Sequence, residues 1–172
     1  FKETIDWKNE RYKYNGKWYA LGKKKEVFAV KGSKPVEKII YYVGRKPVLT
    51  EVFKDLGFDV SLDWTGFDAI DFRGFFMMNA AKNYDEFMKG AQYIRISPQN
   101  VAYADDQGNI AFRVIGSLPL RKKGTGNIIQ DGEKVMCNWE GNIPDDKYPM
   151  LKNPQRGYIA TANNLNVKDY PY

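Results

Sequence analysis

The stretch Phe58-Asp59-Val60-Ser61-Leu62-Asp63-Trp64 alternates apolar and polar side chains, and the stretch after it, Asp68 to Ala81, does not. The alternation predicts a strand with Phe58, Val60, Leu62 and Trp64 on one face and Asp59, Ser61 and Asp63 on the other. From Asp68 onward Phe72, Phe75, Phe76 and Asn79 recur at helical spacing, which predicts a helix. Asn83-Tyr84-Asp85-Glu86 then sets an N-cap residue three positions ahead of an acidic one, the start signal of a second helix. Phe87, Met88 and Ala91 form its inward stripe, and the run Phe75-Phe76-Met77-Met78 is read as core on the first helix, because such stripes are far more often core than ligand pocket. A helical pair set between strand-rich segments predicts an α+β fold.

Working outward, Tyr12-Lys13-Tyr14-Asn15-Gly16-Lys17-Trp18-Tyr19 holds an Asn-Gly pair between aromatic β-formers. Asn and Gly tolerate positive φ at both centres of a type I′ turn, so a tight hairpin is expected. Glu26 to Val30 and Val36 to Val43 form a second pair of strands around Gly32-Ser33-Lys34-Pro35, and Pro47-Val48-Leu49 extends the series. On the far side, Val101 to Ala104 and Ile110 to Ile115 flank the turn Asp105-Asp106-Gln107-Gly108-Asn109. That acidic turn is not a calcium loop of the EF-hand kind, since position twelve, which needs a bidentate Glu, is Gly116. Gly116 to Asn164 is Gly- and Pro-rich, with Tyr158-Ile159-Ala160-Thr161 as a short apolar strand.

The chain has 172 residues, with 27 Lys+Arg against 21 Asp+Glu, 0 His and 1 Cys. At roughly 150 residues per domain this predicts a single unit over residues 1–172, with no second domain. The missing histidine removes Ser-His-Asp and Cys-His nucleophiles, His-ligated metals and the usual neutral-pH base from these residues. The lone Cys137 allows no internal disulfide and no paired-thiol chemistry. No apolar run approaches the roughly 18 to 20 residues of a membrane span. The net charge of +6 with 12 Tyr, 10 Phe and 4 Trp invites a nucleic-acid reading. A solvated surface accounts for it better, because the Lys residues are dispersed among Glu and Asp, and the clusters Lys23-Lys24-Lys25 and Arg121-Lys122-Lys123 flank apparent turns. The chain opens on Phe1 rather than Met, which suggests a processed chain or an excised segment.

One ordered series of small motifs remains. It runs Asn100-Val101-Ala102-Tyr103-Ala104-Asp105, Gly108-Asn109-Ile110, Gly116 with Pro119 and Arg121, Trp139-Glu140-Gly141, Pro149, Asn153-Pro154 through Gly157, and Ala162-Asn163-Asn164. In this order and spacing the series resembles the penicillin amidase family: penicillin, cephalosporin and N-acyl-homoserine-lactone acylases, all N-terminal nucleophile hydrolases. Phe1-Lys2-Glu3, the Tyr14 to Trp18 hairpin and Leu62-Asp63-Trp64-Thr65 also look like the β-chain of that family. Where its members carry a His-Gly-Pro segment, this chain has Gly44-Arg45-Lys46-Pro47-Val48.

The resemblance implies a four-layer αββα sandwich of antiparallel sheets, with this chain an internal segment of the β-chain. It implies hydrolysis of an amide through an acyl-enzyme, by an N-terminal Ser whose own α-amine is the base, which accounts for the absent histidine. By the same pattern Asn163 is the oxyanion-hole donor and Gln99 takes the place of an apolar acyl-pocket residue. Asn127 falls where some members offer a backbone carbonyl to calcium. No cofactor is expected in this segment itself, with calcium left to the complete protein. Phe1 is not Ser, Thr or Cys, and Ser33, Ser61, Ser97 and Ser117 lack the family's Ser-Asn start, so the chain is expected to be inactive alone. Its expected partners are the rest of the acylase (the α-chain and the N-terminal part of the β-chain) and a small N-acyl amide, with neither nucleic acid nor membrane. Unpaired sheet edges suggest self-association of the isolated chain, and the family suggests a periplasmic or extracellular location. Two other readings stand beside this one: an aromatic and basic module for nucleic acid or carbohydrate, using Trp7, Tyr12, Trp18 and Tyr19, and an inactive structural homologue.

Overall fold

The computed structural model describes residues 1–67, 71–96, 98–124, 126–162, 164, 167–168 and 170. The chain divides into two compact units, Phe1–Trp64 with Arg121–Trp139, and Thr65–Leu120 with Glu140–Tyr172. The first carries β1 (Lys2–Glu3), β2 (Ile5–Asp6), β3 (Arg11–Tyr14), β4 (Lys17–Ala20), β5 (Gly22–Phe28), β6 (Val36–Val43), β7 (Lys46–Pro47) and β8 (Asp59–Val60). They form three small sheets, β2-β3-β4, β5-β6-β7 and β1-β8, with antiparallel pairing.

The β3-β4 turn has φ of 48° at Asn15 and 74° at Gly16, the left-handed pair that a type I′ turn requires. It sets Tyr12 opposite Tyr19 and Lys13 opposite Trp18. The Tyr12 and Tyr19 rings stack at 5.7 Å, and the Arg11 guanidinium covers Trp18 at 4.7 Å. The aromatic residues of this hairpin thus act as cross-strand pairs.

Two expectations for this unit change. Lys23, Lys24 and Lys25 lie within β5, opposite Tyr41, Ile40 and Ile39, rather than beside a turn. Carboxylates from the turn before β3, from β5 itself and from β6 hold them there: Glu10 takes Lys23, Glu26 takes Lys24 and Glu37 takes Lys25. The Phe58 to Trp64 strand is cut to Asp59–Val60 plus a bridge from Ser61 to Val48. Val60 is buried as predicted, but Leu62 and Trp64 are exposed while Ser61 is buried.

A polar cluster explains that inversion. The Ser61 hydroxyl donates to Glu3 at 2.5 Å, and Glu3 pairs with Lys46 at 2.9 Å, their side chains 0% and 8% exposed. Lys46 also reaches Asn138 Oδ1 at 3.3 Å and lies 4.2 Å above the Phe1 ring. A Cβ on Gly132 would stand 2.2 Å from Glu3 Oε2, so only glycine lets the chain pass over this carboxylate.

The second unit begins with α1 (Arg73–Ala80) and α2 (Tyr84–Ala91). Asn83 Oδ1 accepts from Glu86 N at 2.9 Å and Glu86 returns the favour to the Lys82 amide at 2.9 Å, a reciprocal cap. The helices meet through glycine. A Cβ on Gly74 would lie 2.8 Å from the Gly90 carbonyl, and one on Gly90 2.8 Å from the Met78 amide. That close approach turns the other side of α1 outward, so of the run expected as core Phe75 and Phe76 are exposed, while Met77 and Met78 are half-buried and Met78 packs against the core; Phe72 is exposed as well. Met88 and Ala91 of α2 are buried as read, and Ala91 joins Ile94 and Ile115 with Met78 and Val101 packed against them.

β9 (Gln99–Ala104), β10 (Ile110–Ile115), β11 (Pro119–Arg121), β12 (Trp139–Asn142) and β13 (Met150–Lys152) complete the chain. β10 lies between β9 and β13, and β11 pairs with β12. Tyr158 to Thr161 is irregular rather than a strand. The β9-β10 turn is fastened by Asp105 Oδ1, which accepts from the amides of Gln107 at 3.1 Å and Asn109 at 2.8 Å. Asn109 Nδ2 and the Tyr103 hydroxyl donate to the same carboxylate. Asp105 is thus a turn acceptor.

These donors, the Asn109 side chain first, hold the Asp105 carboxyl below the usual carboxylate range. A carboxyl depressed in the folded state stabilises it above the ordinary pKa, and that contribution fades as pH falls through the depressed value. Amide exchange at Asn109, corrected for its intrinsic pH dependence, should therefore accelerate in acid. In Asp105→Asn that acid-dependent component should vanish.

Candidate functional site

Two places hold the residues singled out above. The first, in the second unit, is built on β9 and the segment after β13. Gln99 opens β9 opposite Ile115, on the same face as Val101, and is exposed at the end of the strand while Val101 packs against the core. Asn153 follows β13 with φ of 46° and fixes the chain direction there. Its amide donates to the Ile110 carbonyl at 2.8 Å, its Oδ1 accepts from Ile110 N at 2.9 Å, and its Nδ2 reaches Asn109 Oδ1 at 2.8 Å. Gly157 turns the chain with φ of 73°, and Arg156 closes the turn onto the Tyr158 carbonyl at 3.0 Å.

The chain then returns to β9, where Asn100 Nδ2 donates to Thr161 Oγ1 at 2.8 Å. This bond ties the residue beside Gln99 to the residue two positions before Asn163. Asn163 itself lies outside the described residues. Its neighbour Asn164 accepts from the Ala162 amide at 3.0 Å.

The second place is a cavity of about 310 Å³ in the first unit, lined among others by Ser61, Asp63, Arg121, Asn127, Cys137 and Trp139. Asn127 therefore sits beside a guanidinium. The Asp63 carboxylate there is already paired with Arg45 at 2.8 Å. Among the described residues no three His, Cys, Asp or Glu side chains converge on a point. Calcium takes six to eight oxygen ligands, mostly carboxylate and carbonyl, so the Asn127 carbonyl could serve it only together with ligands from outside this segment.

The sequence over residues 1–172 matches the family model described as penicillin amidase. The chain belongs to the penicillin amidase family. Among similar proteins, the acyl-homoserine lactone acylase QuiP of Pseudomonas aeruginosa is 26% identical over 171 residues, covering 91% of this chain and 20% of that protein. The penicillin G acylase of Escherichia coli is 29% identical over 161 residues, covering 93% of this chain and 19% of that protein. Among solved structures, a thermostable penicillin G acylase from Alcaligenes faecalis superposes with a TM-score of 0.81 at 25% identity, over 98% of this chain and 31% of that one. The chain thus spans about a fifth of the length of these two relatives. The α+β arrangement of antiparallel sheets with two helices is that of the family.

As a penicillin amidase family member the chain has site features that sequence reading missed. Asn100 and Thr161 were visible only as parts of motifs, and their hydrogen bond joins positions 61 apart. Arg121 and Trp139 were likewise motif members, and nothing in their spacing announced a stacked pair.

Proposed function

We propose that the complete protein hydrolyses an N-acyl amide through an acyl-enzyme, and that this chain contributes the oxyanion donor Asn163 and the acyl-pocket residue Gln99 but no nucleophile. The observation that carries this reading is the Asn100 to Thr161 hydrogen bond. In a chain matched throughout to penicillin amidase, it ties the strand that begins with Gln99 to the segment that leads to Asn163, which supports this reading.

The reaction begins with a Ser hydroxyl at the start of the β-chain, which gives its proton to its own α-amine and attacks the amide carbonyl. The carbonyl oxygen becomes an alkoxide, and the Asn163 side-chain amide donates a hydrogen bond to it. Collapse releases the amine, protonated from the α-ammonium, and water then repeats the sequence to free the acid. Gln99 presents an amide where an apolar residue would suit a phenylacetyl ring, so an acyl group carrying a polar atom is favoured.

The chain's own serines support the division of labour. Ser61 is buried with its hydroxyl hydrogen-bonded to Glu3, Ser117 is 1% exposed and Ser33 bonds within a turn, so none of these three is poised to attack a substrate. The test compares the complete protein with the 172-residue chain on aliphatic and phenylacetyl amides, following release of the amine. The complete protein should turn over and the chain alone should not. Turnover by the chain alone would refute the division, and an inert complete protein with an intact Ser start would refute the activity.

A further inference from the structure

The cavity of the first unit holds a charge without a partner. Arg121 is half-buried, and among the described residues no carboxylate pairs with it. It stacks on the indole of Trp139, whose ring centroid lies 5.6 Å from the guanidinium carbon. Arg45 stacks on the same ring at 5.5 Å, but Arg45 is neutralised by Asp63 at 2.8 Å. Of the charged side chains that line the cavity, Asp63 is thus taken by Arg45, and Arg121 has no carboxylate opposite it among the described residues.

Partial burial of an unpaired guanidinium costs free energy that an aromatic face offsets only in part. The same burial pulls the Arg121 pKa below its ordinary value. A planar carboxylate supplies what is missing, since it can accept two parallel N–H bonds from the guanidinium fork. Gly126 keeps that fork in place: with φ of 81°, a Cβ there would fall 2.9 Å from an Arg121 nitrogen. Leu62, Ile128 and Ile129 add apolar wall, and about 310 Å³ lies at the small end of ligand-pocket sizes.

We propose that this cavity is a binding site for a small organic monocarboxylate with an apolar body, held by Arg121 with its hydrocarbon part against Trp139, Leu62 and Ile129. The site belongs to the first unit, whereas Gln99 and Thr161 belong to the second. The inference therefore does not depend on the hydrolase reading.

The probe is benzoate, with benzamide as its uncharged isostere, titrated into the 172-residue chain while the Trp139 indole N–H is followed by NMR and assigned through Trp139→Phe. Benzoate should give a saturable shift, and benzamide should bind at least about tenfold more weakly, the scale of a charge-assisted hydrogen-bond pair. Arg121→Gln should lose the benzoate response, Arg121→Lys should retain a weakened one, and Arg156→Gln should behave as the parent chain. An absent or non-saturating shift, equal binding of benzamide, or benzoate binding by Arg121→Gln within twofold of the parent chain would each overturn the proposal. If Arg121→Gln does not fold, Asp63→Asn decides. Removing the opposing carboxylate frees Arg45 and should tighten benzoate binding several-fold; unchanged or weaker binding would count against the site.

Discussion

In the complete protein, Asn163→Ala is expected to lower kcat by on the order of 10² to 10³, the usual cost of losing one oxyanion donor. The expectation follows from where charge develops. The ground-state carbonyl oxygen carries little charge, so the amide contributes little to substrate binding. Under the proposed mechanism, once the tetrahedral alkoxide forms the same donor would face a full negative charge. Transition-state stabilisation is lost and ground-state binding is kept, so kcat should fall while KM moves little. The alternative is that Asn163 only ends the segment fastened by Thr161. In that case Asn163→Ala would lower the melting temperature and leave kcat within a few-fold of the parent enzyme. A Thr161→Val control, which removes the hydrogen bond to Asn100 and keeps the amide, should raise KM and lower kcat only modestly.

The second large effect is on stability. Lys46→Met is expected to destabilise the fold by about 3 to 5 kcal/mol, the range for removing one partner of a buried ion pair. Glu3 is the reason. Its side chain is fully buried, its Oε1 accepts a hydrogen bond from the Ser61 hydroxyl, and its Oε2 has no hydrogen-bond partner among the described residues. With Lys46 gone, that carboxylate would remain in a low-dielectric site without a counter-charge. For a chain of this size such a loss should lower the melting temperature by roughly 10 °C. The double variant Glu3→Gln/Lys46→Met should recover a large part of it, because a neutral amide no longer needs the ammonium. A single variant that melts within about 2 °C of the parent chain would show that solvent already screens the pair.

The two effects sit at opposite ends of what the residue order reveals. The motif around Asn163 can be read as a string, because Asn153-Pro154 through Gly157 and the terminal Asn pair repeat a family pattern in order. The Glu3 to Lys46 pair cannot, since neither residue type is expected inside and neither has a sequence neighbour that announces it. Likewise alternation places Ser61 with Asp59 and Asp63 and does not announce that it is buried, where its hydroxyl donates a hydrogen bond to Glu3, 58 positions away.

Periodicity reported which segments would be helices but not which side of α1 would be inside. Phe72, Phe75 and Phe76 have the spacing of a core stripe and are exposed, because the Gly74 and Gly90 backbones pack more closely than a phenylalanine allows. The glycines inside predicted helices were the overlooked signal, since glycine there costs up to about 1 kcal/mol and is kept where two backbones touch.

The sequence by itself determined what short-range interactions decide: the Asn15-Gly16 turn, the Asn83 and Glu86 cap, the Asp105 turn, and the ordered motifs that identify the penicillin amidase family. These depend on φ preferences and on side chains reaching backbone a few residues away, all legible within a short window. The tertiary structure alone decided the buried Glu3, Lys46 and Ser61 cluster, the bond from Asn100 to Thr161, and the unpaired Arg121 on Trp139. Each joins residues far apart in the chain, and whether a charge is buried, paired or left over depends on everything that packs around it.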